Sequence, residues 1–215
     1  YWMHNGYLRI NNEKMSKSLG NFITIRDVSK EYDLGVLRFF MLGAHYRGPI
    51  NFSHELMEAA KTGLERITNA VSNLDFLLEN AVLRELTDAE KETKEKALAF
   101  KKDFEAAMDD DFNTADAVSA IFNLVKLANS EINAESSAEL IKEVRGIIVL
   151  LSDVLGLKVV KQKEILDDEI EALIKERTES RKAKNFARAD EIRDILASKG
   201  IVLEDTREGV KWKRI

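Results

Sequence analysis

Apolar residues recur every three or four positions through the middle of the chain, and this spacing places them on one face of an α-helix. Four such helices are predicted in residues 51–160, and the first begins after Ser53. The last is expected to close at Gly156. N-terminal caps for the other three are predicted at Thr87, Asn113 and Ser136. Because the connections are short, this part of the chain is predicted to be a four-helix-type bundle.

The same spacing predicts which residues of these helices are buried. For the first helix they are Leu56, Ala60, Leu64, Ile67, Val71, Leu74 and Leu78. For the second, highly charged helix they are Ala97, Leu98, Phe104 and Met108. Three consecutive carboxylates, Asp109 to Asp111, follow it, but their spacing does not fit a calcium loop. They are expected to end one helix and lead into the next.

The pattern changes towards both ends of the chain. Residues 161–215 read as two helices broken around Asn185, the first capped by Asp167, followed by two alternating segments that form a hairpin. Residues 1–50 read as a short strand, a polar loop and short helices capped by Thr24 and Asp33. The predicted fold is therefore mainly α, with a small α+β domain at the C-terminus.

Composition narrows the functional classes. The chain of 215 residues is 45% hydrophobic and 33% charged, with one proline, as in a mostly helical globular protein. It has no cysteine, and its three histidines are scattered singly, so no metal site is predicted. No apolar run approaches the length of a membrane span, and a cytoplasmic location is expected. Because residue 1 is Tyr1, the sequence is expected to be part of a longer or processed protein.

The polar loop carries the clearest chemistry. Lys14 and Lys17 lie three residues apart, with hydroxyl groups at Ser16 and Ser18 and flexible backbone at Gly20. Such a loop can neutralise a triphosphate and stabilise the charge that grows on departing pyrophosphate. For an arbitrary sequence of this kind, a solvated surface loop is the more common explanation.

The string Lys14-Met15-Ser16-Lys17-Ser18 is the signature of class I aminoacyl-tRNA synthetases. The segments "YWMHNGYLRINNEKMSKSLGNFITIRDV", "GAHYRGPINFS", "MDDDFNTADA" and "ARADEIRDILASKGIVLEDTREGVKWKR" resemble the cysteinyl-tRNA synthetases, in order and over essentially the whole chain. The resemblance implies activation of cysteine with ATP and Mg²⁺, followed by transfer to tRNA(Cys). It also implies that Lys17 contacts ATP directly, with Lys14, Ser16 and Ser18 shaping the loop.

The same resemblance implies a division of labour. The family has an N-terminal nucleotide-binding part with a His-Ile-Gly-His-type motif and a Zn²⁺ ion that selects cysteine, so Zn²⁺ is expected only there. Residues 1–215 are therefore expected to be the C-terminal half of a monomeric enzyme and to show no aminoacylation alone. Residues 1–50 would be the end of the catalytic part with a stem-contact region, and residues 161–215 the anticodon-binding domain.

Charged residues crowd the helix junction of this tail, among them Arg177, Lys182, Lys184 and Arg188. From the pattern alone a solvated surface with paired charges is the more common explanation. By resemblance, base contacts are expected from Arg181, Asp190 and Asp205. Phe186 is expected either to stack on a base or to plug the core, and Arg47 either to meet an RNA phosphate or to brace the bundle. Trp212 is expected to anchor the hairpin.

Three alternatives remain open at this point. A related class I ligase could couple cysteine to a small amine, although it would not need an anticodon reader. The chain could also be a free-standing RNA-binding module without catalysis. A purely structural helical protein would leave the loop at Lys14 to Ser18 unexplained.

Overall fold

A computed structural model describes residues 1–160, 165–183, 185–206 and 209–214. It describes their side chains except those of residues 165–169, 205, 206, 209, 211, 213 and 214. The chain forms two compact units, Tyr1–Lys161 and Gln162–Ile215. The three-part division with a further boundary near residue 50 stays a prediction. In the described residues the protein is mainly helical with small β elements, which confirms the predicted fold class.

The first unit is built on six helices among its described residues. They are α1 (Ile25–Val28), α2 (Leu34–Leu42), α3 (His54–Glu79), α4 (Asp88–Asp109), α5 (Thr114–Glu131) and α6 (Ala138–Val154). Thr87 forms a capping box with Glu90 at the start of α4, and Asn113 caps α5, as predicted. Asp109 ends α4, and the next two carboxylates lead into the following helix, also as predicted.

The predicted cap of α6 at Ser136 is wrong. The Ser137 hydroxyl accepts the Leu140 N–H at 3.3 Å and caps the helix, whereas the Ser136 hydroxyl accepts the N–H of Asn133 at 3.1 Å. Ser137 is held at the helix start because its own N–H donates to the buried Glu90 carboxylate at 2.8 Å. Which of the two adjacent serines caps α6 therefore depends on a hydrogen bond to a residue 47 positions away.

The core of the first unit is formed mainly by α2 to α6. Its fully buried side chains include Ile67, Leu74, Ile121, Leu124 and Ile148. Most of the predicted buried residues are buried, and Leu64, Leu78 and Met108 are partly buried against the core. Leu56 and Leu98 are instead 44% and 37% exposed. Leu56 precedes the fully buried Met57, and Leu98 follows the fully buried Ala97. Successive helix positions are turned by about 100°, so only one of each pair can face the core.

A three-stranded sheet carries the polar loop. Its central strand β1 (Leu8–Ile10) pairs antiparallel with β2 (Glu13–Lys14) and parallel with β3 (Ile50–Phe52). The turn between β1 and β2 has positive φ values of 50° and 67° at its two asparagines, a conformation that asparagine tolerates. The sheet thus fixes the residue at which the loop begins.

The end of α6 is tied back to α2. Gly156 has a φ of 68°, which confirms the predicted left-handed C-cap. The guanidinium of Arg38, on α2, donates from Nε to the carbonyl of Leu155 at 2.7 Å. A cation at the C-terminus of a helix is favoured by the helix dipole, and this contact joins two points 117 residues apart.

The second unit contains α7 (Ile165–Lys182), α8 (Phe186–Ser198), β4 (Ile201–Thr206) and β5 (Gly209–Arg214). The two strands pair antiparallel, which confirms the hairpin, and Asn185 caps α8. Trp212 packs against a core of Ile170, Ile192, Leu196 and Ile201, as predicted. Asp167 as a cap is wrong, because α7 already begins at Ile165. A carboxylate within the first turn is instead favoured by the helix dipole.

Candidate functional site

The polar loop folds back on itself directly after β2. Residues Lys17–Leu19 form one 3₁₀ turn, and the Ser16 hydroxyl caps it by accepting the N–H of Leu19 at 3.3 Å. Gly20 ends the turn with a φ of 67° and donates its N–H to the carbonyl of Lys17 at 3.2 Å. The left-handed glycine reverses the chain, so Asn21 returns to the start of the loop.

Asn21 closes this loop with both ends of its side-chain amide. The N–H of Ser16 donates to Oδ1 at 2.9 Å, and Nδ2 donates to the carbonyl of Lys14 at 3.1 Å. The two contacts lie on either side of Met15. The backbone of the signature residues is therefore held by polar groups within the loop.

The two lysines of the loop point into solvent. Lys14 and Lys17 are exposed, and neither ammonium group forms an ion pair within the part of the chain that the structure describes. The Lys17 ammonium lies 5.5 Å from the ring centroid of Phe22, a cation–π contact worth about 0.5–1 kcal/mol at an exposed site. Ser16 and Ser18 hydrogen-bond to each other at 3.1 Å. An incoming anion therefore has two positive groups to meet and only a weak contact to displace.

A polar cluster fixes Arg47 near the α4–α5 connection. Its Nε lies 2.7 Å from Oδ2 of Asp111, and the Tyr46 hydroxyl donates to Oδ1 of the same carboxylate at 2.8 Å. Hydrogen bonds from Tyr46 and then Arg47 lower the pKa of Asp111, which adopts a left-handed φ of 54°. Arg47 thus contacts the connection between α4 and α5 in this structure, and its predicted roles, bracing the bundle or meeting an RNA phosphate, stay predictions.

In the second unit, a shallow cleft of about 210 Å³ brings together three residues predicted to contact RNA. It is lined by Arg177, Arg181, Phe186, Ala189, Asp190 and Arg193. Phe186 is 61% exposed, so it faces the cleft and does not fill the core. The side chain of Asp205 and the whole of Lys184 lie outside what the structure describes.

The sequence reasoning missed two arginines of this cleft. The sequence pattern places Arg177 only among the surface charges, yet it is buried, and Arg193 lies 3.7 Å from the Asp190 carboxylate. Helical spacing was the available signal, because Arg177 lies four residues before Arg181 and Arg193 three after Asp190. Arg188 is instead paired with Glu191 and Glu176, and hydrogen bonds to these carboxylates raise its pKa.

Within the described residues, no group of three or more His, Asp or Glu side chains is arranged to hold a metal ion. His54 is hydrogen-bonded to Tyr32 at 2.5 Å, and His45 lies 3.8 Å from the Asp111 carboxylate. Of the helices in the same residues, none has the length and apolar character to cross a membrane.

Three family models match the chain in succession. Residues 1–62 match the class I (C) tRNA synthetase catalytic domain, residues 103–159 the DALR domain, and residues 164–212 the cysteinyl-tRNA ligase anticodon binding domain. The signature loop falls in the first match and the arginine-lined cleft in the third. These matches and the signature loop place the chain in the class I aminoacyl-tRNA synthetases.

Curated relatives narrow the class to one family. A cysteine–tRNA ligase of Lachnospira eligens is 62% identical over all of this chain, and the ligases of Lachnoclostridium phytofermentans and Clostridioides difficile are each 54% identical. The chain belongs to the cysteinyl-tRNA synthetase family and corresponds to the C-terminal part of its members. It spans 45%, 47% and 46% of the length of these three relatives.

A solved structure is also similar. The ternary complex of Agrobacterium radiobacter K84 agnB2 LeuRS with tRNA and LeuAMS matches 72% of this chain and 22% of that chain. The TM-score is 0.56 and the sequence identity 21%, so the match concerns the fold alone.

Proposed function

We propose that this chain supplies the ATP-clamping loop and the tRNA-binding part of a monomeric cytoplasmic enzyme that activates cysteine and transfers it to tRNA(Cys). The observation that carries the proposal is the closed signature loop, which leaves the ammonium groups of Lys14 and Lys17 exposed and without carboxylate partners among the described residues. The family match supplies the reaction.

In the first step, a carboxylate oxygen of cysteine attacks the α-phosphorus of ATP. The bond from that phosphorus to the oxygen bridging to the β-phosphate breaks, and pyrophosphate leaves with the bonding electrons. Negative charge on the departing oxygens grows in the transition state, so positive groups placed there accelerate the reaction. Lys17 is the residue proposed to contact these oxygens directly, and Lys14, Ser16 and Ser18 would shape the loop around them.

In the second step, a ribose hydroxyl at the tRNA terminus attacks the activated carboxyl group and releases AMP. The cleft on α7 and α8 would hold the anticodon, with Arg181, Asp190 and Asp205 reading base edges and Phe186 stacking on a base. A large exposed ring beside arginines is a suitable surface for a base next to its phosphate. Arg47 would meet a tRNA phosphate if binding displaced it from Asp111.

Mg²⁺ and Zn²⁺ are also expected in this family. Among the described residues no three or more His, Asp or Glu side chains are grouped to hold an ion, and the two steps above are written only for this chain's own residues. Zn²⁺ is proposed to belong to the part of the enzyme that selects cysteine.

The test is a chimera in which residues 1–215 replace the matching part of the 62% identical relative. Cysteine-dependent exchange of labelled pyrophosphate into ATP is expected to be retained. Lys17→Ala is expected to lower kcat about 100-fold, the usual effect of removing one group that stabilises a developing oxyanion. The matched control is Lys30→Ala, an exposed lysine paired with Asp27.

Two results would contradict the proposal. One is a folded chimera without exchange activity, and the other is an active chimera in which Lys17→Ala behaves like the control. If the inactive chimera still bound tRNA(Cys), the alternative of an RNA-binding module without catalysis would replace the proposed function.

A further inference from the structure

We propose that Asn21 is a positioning residue for cysteine activation, because its side-chain amide holds the backbone from which Lys14 and Lys17 reach the phosphates. The inference rests on the proposed function. Asn21 lies outside the five signature residues, and it is assigned here from its hydrogen bonds alone.

The geometry fixes how the amide is oriented. The N–H of Ser16 can only donate and the carbonyl of Lys14 can only accept, so the amide must turn Oδ1 to the first and Nδ2 to the second. This two-point contact resembles the pairing between neighbouring β-strands, and it continues the order of β2 into the loop. A carboxylate at position 21 would keep the acceptor and lose the donor, and alanine would lose both.

Hydrophobic packing does not hold the 3₁₀ turn at the centre of this loop. No residue of Lys17–Leu19 is buried, and Leu19 is 61% exposed. The order of this segment therefore depends mainly on polar contacts: the Ser16 cap, the Ser16–Ser18 hydroxyl pair, the turn at Gly20 and the Asn21 amide. Of these, the amide is the contact that connects the two ends of the loop.

A loop that is held in one conformation presents its positive charges without first being reorganised. Stabilisation of a transition state depends on such fixed placement, and a displacement of about 1 Å can cost about 100-fold in rate. If the loop opened, the ammonium groups would keep their charge but lose their shared position. The effect of Asn21 should therefore appear in kcat for pyrophosphate exchange, with little change in the affinity for cysteine.

The experiment uses the same chimera and compares Asn21→Ala, Asn21→Asp and Asn21→Gln. The alanine variant is expected to lower kcat about tenfold or more, with the KM for cysteine unchanged within about twofold. The aspartate variant should lose more, because it adds a negative charge beside the two lysines. Glutamine keeps both a donor and an acceptor, so it should recover part of the activity. Asn69→Ala, at an exposed position of α3, is the matched control.

The outcomes separate this inference from the function on which it rests. If Lys17→Ala loses activity while Asn21→Ala behaves like the control, the role of Asn21 is refuted and the proposed function stands. If Asn21→Ala lowers the thermal unfolding midpoint along with kcat, the residue acts on folding and the inference is also refuted. If Lys17→Ala has no effect, the proposed function itself fails.

Discussion

Replacing Glu90 by glutamine should destabilise the first unit without affecting the second. Glu90 is buried, and its carboxylate accepts hydrogen bonds from both Nη groups of Arg84 at 2.5 and 2.9 Å. It also accepts the backbone N–H groups of Thr87 at 2.9 Å and of Ser137 at 2.8 Å. One carboxylate therefore connects the start of α4, the segment before it and the start of α6.

The pKa of Glu90 gives the size of the effect. The hydrogen bonds from Arg84, followed by those from the backbone of Thr87 and Ser137, lower this pKa from 4.5 to about 2. Such a difference corresponds to about 3 kcal/mol of stability at pH 7. The Arg84 side chain is 35% exposed, so water screens part of it. We expect Glu90→Gln to cost about 2 kcal/mol.

The sign of the pH dependence follows from the direction of the shift. Because the folded-state pKa is depressed, the stabilisation is complete well above pH 4.5 and is lost as the pH falls towards 2. The stability difference between the wild type and Glu90→Gln should therefore shrink to less than about half of its neutral value by pH 3.

Urea denaturation can follow the two units separately. Circular dichroism at 222 nm reports mainly α1 to α6. Trp212 is packed in the second unit and Trp2 is 95% exposed, so the change in tryptophan fluorescence reports mainly the second unit. Only the first signal should shift. Glu92→Gln, on the same helix with a 69% exposed side chain, is the control. A loss equal to that of the control, or a difference that does not vary with pH, would refute the reasoning.

Two further predictions concern the end of α6 and the arginine-lined cleft. Gly156→Ala should destabilise the first unit by about 1–2 kcal/mol, because φ is 68° and a Cβ would lie 2.6 Å from the Arg38 guanidinium. In the same denaturation assay, Gly146→Ala has open space and should stabilise by up to about 1 kcal/mol. Asp190→Ala should weaken binding of the tRNA(Cys) anticodon stem-loop by about 1–3 kcal/mol, measured by fluorescence anisotropy at fixed salt. Asp194→Ala, a carboxylate on the same helix outside the cleft lining, should bind like the wild type, and equal affinities for both variants would favour a merely solvated surface.

Features that depend on neighbouring residues could be predicted from the sequence. The caps at Thr87 and Asn113, the left-handed Gly156 and the hairpin after Gly200 all follow from short-range spacing, and the structure contains each of them. The lysines of the loop could be found because their string is a known signature. The helical period also predicted most of the buried residues, since the core needs one continuous face.

The contacts missed by sequence reasoning join residues whose separation no pattern encodes. Examples are the contact of Glu90 with Ser137, 47 residues apart, and that of Arg47 with Asp111, 64 residues apart. The left-handed backbone at Asp111 also has no glycine to mark it. Even the short link from Asn21 to Ser16 was missed, because asparagine after a glycine is common in turns and only the coordinates show a two-point contact.

The bond from Arg38 to the carbonyl of Leu155 bears on how the protein is made. A ribosome delivers Arg38 long before Leu155, so α2 must wait for 117 more residues before its guanidinium meets this partner. Until then α2 can pack on α3 but lacks this hydrogen bond to the end of α6. The link between the start and the end of the first unit is thereby among the last contacts that the growing chain can make.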